Sequence, residues 1–236
     1  MSTAEPKARP MLFSGPLVRA ILAGQKTVTR RLVKEPRWAR PGTFEAEGDT
    51  LVAVSKKTGC LATVACRYGA PGDRLWVRET FAAYSIAPRT GVETHWRRMT
   101  PEQRRTWARS GVRYRATPEA GLRVKDETWI PAIHMPRGVS RVTLEIASVR
   151  AERLHALTEQ DAAAEGTEHY WNALDERAAR QFGNRWTEYA RRYGYEKHAP
   201  DWRGAFAALW DAINGKRAPW ASNPWVWRVE FKRVTL

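Results

Sequence analysis

Ile21–Arg31 reads ILAGQKTVTRR and packs a helix end, one lysine, two threonines and two arginines into eleven residues. Just upstream, Leu17, Val18, Ile21 and Leu22 recur at helical spacing, so residues 16–23 are predicted as an amphipathic helix. Pro16 suits its first turn, and Gly24 falls where a left-handed C-cap wants glycine. Beyond Gly24, Thr27, Val28 and Thr29 favour extended backbone, which predicts a strand over Lys26–Val33. The stretch therefore puts a cation and hydroxyls at a helix-to-strand joint, where side chains converge on a ligand. The same letters also fit an edge strand whose Lys26 does no more than neutralise the helix C-terminus.

The rest of the chain shifts that balance. Its 236 residues carry 40 Lys+Arg against 25 Asp+Glu, a formal charge of +15. Such an excess is the electrostatic footprint of a protein that meets polyphosphate. A membrane surface is the competing anionic partner, but no apolar run approaches transmembrane length and no strongly apolar basic helix stands out. The N-terminal MSTAEPKARP lacks the apolar core of a signal peptide. Cys60 and Cys66 are the only cysteines, too few and too widely spaced for structural zinc. His134, His155 and His169 have no spacing that suggests a shared metal, so neither metal nor cofactor is expected. The expectation is a reduced, cytoplasmic protein. Twelve tryptophans are many for this length, and several flank arginines, as in Trp96-Arg97, Arg185-Trp186 and Trp202-Arg203. Aromatic faces interleaved with cations stack bases and hold phosphates, although packing is the ordinary use of any single tryptophan.

Residues 1–9 read as a disordered leader, Met11–Ser14 as a short strand and residues 34–50 as a loop. Leu51–Val54 and Leu61–Cys66 are predicted to pair as a hairpin, and the turn Pro71-Gly72-Asp73 feeds a strand at Arg74–Thr80. Residues 82–128 are less regular, with a helix expected at Pro101–Ser110, a strand at Val112–Ala116 and a loop at Trp129–Pro136. Val142, Leu144 and Ile146 alternate with polar neighbours in the Arg141–Leu154 strand. Thr158 and Asp161 resemble a capping box opening a helix over 159–165, closed by Gly166. Residues 168–193 look helical and arginine-rich, Trp202–Asn214 is a clear amphipathic helix, and Trp225–Val234 is the last strand. Strands scattered among a few helices, without regular alternation, argue for α+β. Neither GxGxxG nor Walker A occurs.

Four blocks then line up: LAGQKTVTRR at Leu22–Arg31, PGDRLWVRET at Pro71–Thr80, SRVTLEI…LTEQDAAAEG within Ser140–Gly166, and WVWRVEFKRV at Trp225–Val234. In this order, together with IHMPR at Ile133–Arg137 and NPWVW at Asn223–Trp227, they resemble the ASCH domain (activating signal cointegrator homology) in its longer bacterial and prophage form. The resemblance implies a PUA-like small β-barrel with peripheral helices, a fold associated with RNA and modified nucleosides. It makes residues 10–236 a single domain, with insertions at about 82–128 and 168–200, and a barrel of five or six strands closed by Trp225–Val234. Well-understood small members are amidohydrolases that remove the acetyl group from N4-acetylcytidine. Their catalytic lysine, threonine and glutamate carry over to Lys26, Thr29 and Glu165, the last through the start of the helix over 159–165. Arg31 matches the arginine ending the motif.

Amide hydrolysis needs an activated nucleophile, a proton donor for the departing amine and a partner for the oxyanion. Thr29 is the candidate nucleophile. Lys26 serves as its base if burial, or a neighbouring Arg30 or Arg31, lowers its pKa. Glu165 would orient the lysine or protonate the leaving amine. One geometric objection stands: in a regular strand, positions 26 and 29 face opposite ways, unless Lys26 still belongs to the turn after Gly24 or a bulge intervenes. Lys26 is expected to be partly exposed. Arg30, Arg31, Arg78, Arg137 and Arg141, with Lys125, are candidates to hold substrate or an RNA or DNA backbone, and Asp73 and Glu79 are expected to pair with local arginines rather than to bind a cation. Two other readings share these residues: a non-catalytic module in which Lys26 and Arg31 hold phosphate, and a ribonuclease with a metal or lysine-centred base. Convergence of Lys26, Thr29 and Glu165 in a cleft favours the hydrolase, while a continuous basic groove suffices for binding.

Overall fold

The computed structural model describes residues 5–83, 100, 112–117, 129–167 and 202–234. These form the strands β1 (Ala8–Leu12), β2 (Val28–Leu32), β3 (Glu45–Glu47), β4 (Thr50–Val54), β5 (Leu61–Val64), β6 (Arg74–Arg78), β7 (Phe81–Ala83), β8 (Val112–Tyr114), β9 (Thr143–Arg153) and β10 (Trp225–Val234). With them are the helices α1 (Gly15–Leu22), α2 (Glu159–Ala164) and α3 (Trp202–Asn214). The class is α+β, as the irregular order of strands and helices predicts.

The main sheet has five strands in the order β1-β6-β9-β10-β2. Only β1 and β6 run parallel; the other neighbours are antiparallel. From Trp227 on, β10 alternates buried Trp227, Val229 and Phe231 with Arg228, Glu230 and Lys232, and its ten residues let it serve β9 on one side and β2 on the other. The last strand is therefore central in the sheet. The sheet is open, with β1 and β2 as its edges, but one side chain spans the gap: Arg31 Nη2 donates to the Leu12 carbonyl at 2.7 Å.

Pairing fixes which residues share a face, because side chains alternate along each strand. On one face Leu75, Val77, Leu144, Ile146, Trp227, Val229 and Phe231 pack with Phe13 and with Leu17, Val18 and Ile21 of α1. On the other, Val226 and Leu154 are covered by Leu157, Ala162 and the Phe206, Leu209 and Trp210 stripe of α3. Each such fully buried side chain contributes about 1.5–3 kcal/mol. β3, β4 and β5 form a separate antiparallel sheet, and β7 pairs with β8.

Several expectations need correction. Residues 7–9 are ordered rather than part of a leader, because β1 begins at Ala8, the Lys7 amide donates to Asp73 and Arg9 pairs with Asp73 at 2.7 Å. The first strand accordingly lies at Ala8–Leu12 rather than Met11–Ser14. The 34–50 loop contains β3, held by β4, and the Trp129–Pro136 loop contains a 3-10 turn at Ala132–His134. Pro101–Ser110, Lys125 and the arginine-rich 168–193 segment lie outside the described residues.

Candidate active site

Lys26 is positioned by the way α1 ends. Gly24 takes φ +75°, and the amides of Gln25 and Lys26 both donate to the Ala20 carbonyl, at 2.9 and 3.1 Å. Lys26 thus belongs to the turn, and β2 begins only at Val28. The objection from strand alternation is thereby removed.

Glu165 is positioned by the way α2 ends. Thr158 Oγ1 accepts from the Asp161 amide at 3.1 Å, which starts the helix, and Gly166 at φ +73° stops it just past Glu165. The Thr27 amide then donates to the Ala164 carbonyl at 3.0 Å, stitching the two helix ends together. Glycine is required at 166 for a second reason: a Cβ there would lie 2.8 Å from Ala20 Cβ and 3.1 Å from Lys26 Cβ.

The two side chains meet out of water. Lys26 Nζ donates to Glu165 Oε2 at 2.6 Å, to the Glu165 carbonyl at 2.7 Å and to the Val28 carbonyl at 2.7 Å. Lys26 is 2% exposed and Glu165 3%, so the expectation of a partly exposed lysine is wrong. Packing of the α2 end over the joint, which local pattern does not reveal, buries it. Burial pushes the Lys26 pKa below its ordinary value; Glu165 opposes this, and Arg31 and Arg30 add to it.

Thr29 and Arg31 share the core-facing side of β2, opposite Val229 and Trp227 of β10. Thr29 is buried, and no hydrogen bond to its hydroxyl is found among the described residues. The Arg31 guanidinium lies 5.0 Å from the Phe13 ring centre and Lys26 Nζ 5.8 Å from the same ring, so the two cations share one aromatic floor. Burial lowers the Arg31 pKa, with Tyr68 and Glu165 opposing. Its Nη2 is anchored on Leu12, while its Nε is buried without a partner. A donor in that state costs about 1–3 kcal/mol and marks a place for an acceptor.

Arg30 does not belong to that pocket. It faces the other side of β2, fully buried, with Nη2 2.7 Å from Glu152 and 2.7 Å from Asp161, and Nη1 3.4 Å from Glu165 Oε1. Arg30, Arg228 and Arg150 stand in register across β2, β10 and β9. Like charges so placed repel. The carboxylates interleave with them: Asp161 joins Arg30 to Arg228, Glu152 joins Arg30 to Arg150, and Glu230 takes Arg228 at 3.2 Å. Arg30 therefore holds Glu165 from behind rather than gripping substrate.

The remaining candidates divide. Arg141 is committed to Glu79 through two bonds of 2.9 Å, lies 4.0 Å over the Tyr114 ring and donates to Thr117, so it is no free phosphate grip. Arg78 sits 4.7 Å over Trp76 and donates to the Ile133 carbonyl at 3.3 Å, with its Nε unpartnered. Arg137 is exposed in a 3-10 turn. Asp73 and Glu79 pair with arginines, but with the distant Arg9 and Arg141 rather than local ones. The sequence reading missed Phe13, Glu152, Asp161 as an ion-pair partner, and Arg228. For Glu152 and Arg228 the signal was present as the i,i+2 pairs Arg150/Glu152 and Arg228/Glu230, charges repeating along one face of strands whose other face is core. No family model, curated protein or solved structure matches the chain.

Proposed function

We propose that this chain is a hydrolase of N4-acylated cytidine, built on a PUA-like frame, that meets its substrate as a modified nucleoside or within RNA. The single observation that carries the reading is the buried contact of Lys26 Nζ with Glu165 Oε2 at 2.6 Å, beside the strand that bears Thr29. These three residue types are the ones the motif resemblance assigns to the reaction. Also in support, the open edges of the main sheet meet at Arg31, where a barrel seam and its pocket would lie.

The chemistry closes in two steps. Thr29 Oγ attacks the acyl carbonyl carbon while its proton passes to a neutral Lys26 amine, and the Arg31 Nε–H receives the oxyanion. Collapse breaks the carbon–nitrogen bond, and the proton goes to the departing N4 amine of cytidine. Water then cleaves the acyl-threonine ester, releasing the carboxylic acid and regenerating Thr29.

A second reading is favoured by the saturation of Lys26, whose three protons all have acceptors. On it, the site binds a nucleoside without reacting. The assay that separates them incubates the protein with N4-acetylcytidine and follows cytidine by chromatography. Turnover that survives partly in Thr29→Ser and disappears in Thr29→Val supports the hydrolase. Nucleoside binding without turnover by the folded wild-type protein rejects it in favour of the binding module.

A further inference from the structure

Away from the Lys26 site, two turns are stapled together. Pro36–Ala39 is a tight turn closed by the Ala39 amide on the Pro36 carbonyl at 3.1 Å, which puts Arg37 and Trp38 at its apex. Ser55–Cys60 is the hairpin turn between β4 and β5, with the Ser55 amide on Cys60 at 2.8 Å and Gly59 at φ +70°. Ser55 Oγ accepts the amides of Lys57 and Thr58, fixing the first half of that turn. The two apices are joined by the Lys56 amide on the Trp38 carbonyl at 2.8 Å, the Arg40 amide on the Val54 carbonyl at 2.8 Å, and Lys56 Nζ on the Arg37 carbonyl at 3.1 Å.

This arrangement gathers Arg37, Arg40, Lys56 and Lys57, all exposed, around an exposed tryptophan. None of the four cations has an ion-pair partner among the described residues, whereas the arginines of the main sheet are interleaved with carboxylates. The ring is unusual too. Trp76, Trp220 and Trp225 each carry an arginine over the ring at 4.7, 5.9 and 4.5 Å, but no cation or ring covers Trp38 among the described residues. Trp38 is 37% exposed, so part of its apolar ring stays in water at the turn apex, and a flat group stacked on it would cover that surface.

We propose that the Trp38 apex is a docking platform for single-stranded RNA, with an unpaired base stacked on Trp38 and the flanking phosphates on Arg37, Arg40, Lys56 and Lys57. Unpaired strands suit it because their bases can be splayed onto an aromatic ring, while duplex bases present no free face. The choice of RNA rests on the cytidine reading of the Lys26 site. The platform would deliver a polynucleotide, so a nucleotide within a strand joins the free nucleoside as a substrate.

The test is fluorescence anisotropy with a fluorescein-labelled oligouridine of about 16 nucleotides, titrated at salt concentrations from about 50 to 200 mM. Trp38→Ala should weaken binding about tenfold, and Trp38→Phe should restore most of it. Lys56→Glu with Lys57→Glu should flatten the slope of log affinity against log salt by about 1.4, the share of two phosphate contacts on a single strand. Because both lysines are exposed, this pair keeps the test open even if Trp38→Ala unfolds. Affinity within twofold of wild type in both folded variants overturns the platform, as does equal affinity for a hairpin duplex. Equal affinity for the matching DNA strand, or displacement of the probe by polyglutamate of equal charge, overturns the assignment to RNA. Hydrolysis of free N4-acetylcytidine should be unchanged in Trp38→Ala. Intact RNA binding without any deacylation would reject the hydrolase reading alone.

Discussion

Glu165 supplies two of the three acceptors of the Lys26 ammonium, Oε2 at 2.6 Å and its own carbonyl at 2.7 Å, although 139 positions separate the two residues. One residue thus neutralises the lysine and also caps it with the end of a helix. That double hold makes the pair both a structural joint and the centre of the proposed chemistry.

The first prediction concerns alkaline stability. Burial holds the Lys26 pKa below 10.5, with Glu165 opposing. Between the folded value and 10.5 the unfolded chain binds more protons, so the stability contributed through Lys26 rises with pH across that window. Glu165→Gln removes the opposing charge, lowers the folded value further and widens the window downward. Urea denaturation at stepped pH should show a steeper gain in the variant and none attributable to this site in Lys26→Met. A gain unchanged in Lys26→Met would refute it.

Arg30 should be a stability residue. Its replacement by Met strands Glu152, Asp161 and one oxygen of Glu165, and breaking such a buried network costs about 3–5 kcal/mol. Arg30→Lys keeps the charge but loses the planar fork that reaches three carboxylates, so it should recover only part of the loss. Chemical denaturation measures both. An Arg30→Met protein as stable as wild type would refute the assignment.

Gly166→Ala tests the contact between the two helix ends. Positive φ alone costs about 1–2 kcal/mol, and Gly48→Ala, at φ +60° with open space around its Cβ, measures that component. Gly166→Ala should cost clearly more than Gly48→Ala, because its new methyl meets Ala20 at 2.8 Å and Lys26 at 3.1 Å. It should also lower deacylation, since Lys26 must move. Equal melting temperatures for the two variants would dismiss the contact.

Acid should loosen the ion-paired face of the sheet. Burial would raise the Asp161 pKa, but its bonds to Arg228 and Arg30 outweigh that and hold it below 3.8. Bonds from Ser148 and Arg228 hold Glu230 below 4.5. Carboxylates with depressed folded values contribute stability that is complete above the unfolded value and lost as pH falls through the folded one. Unfolding midpoints should therefore drop below about pH 4.5, and Asp161→Asn should flatten that limb while lowering stability at neutral pH.

Local pattern was enough wherever the physics is local. Residues 202–214 and 225–234 are legible from their apolar periods alone, and the joint at Gly24 from the conformational freedom of glycine. The motif also singled out Lys26, Thr29 and Glu165, because residue types can be compared without coordinates. What tertiary structure alone decided was their environment. Lys26 is buried only because the end of α2 lies over it, and Arg30 is withdrawn from substrate only because β2, β10 and α2 bring Glu152, Asp161 and Glu165 around it. Burial and pairing depend on contacts between residues more than a hundred positions apart, and a solvated arginine and a sequestered one are spelled with the same letter. The Trp38 apex shows the same at shorter range: an exposed ring among unpaired cations came into view only when two turns were joined by backbone hydrogen bonds.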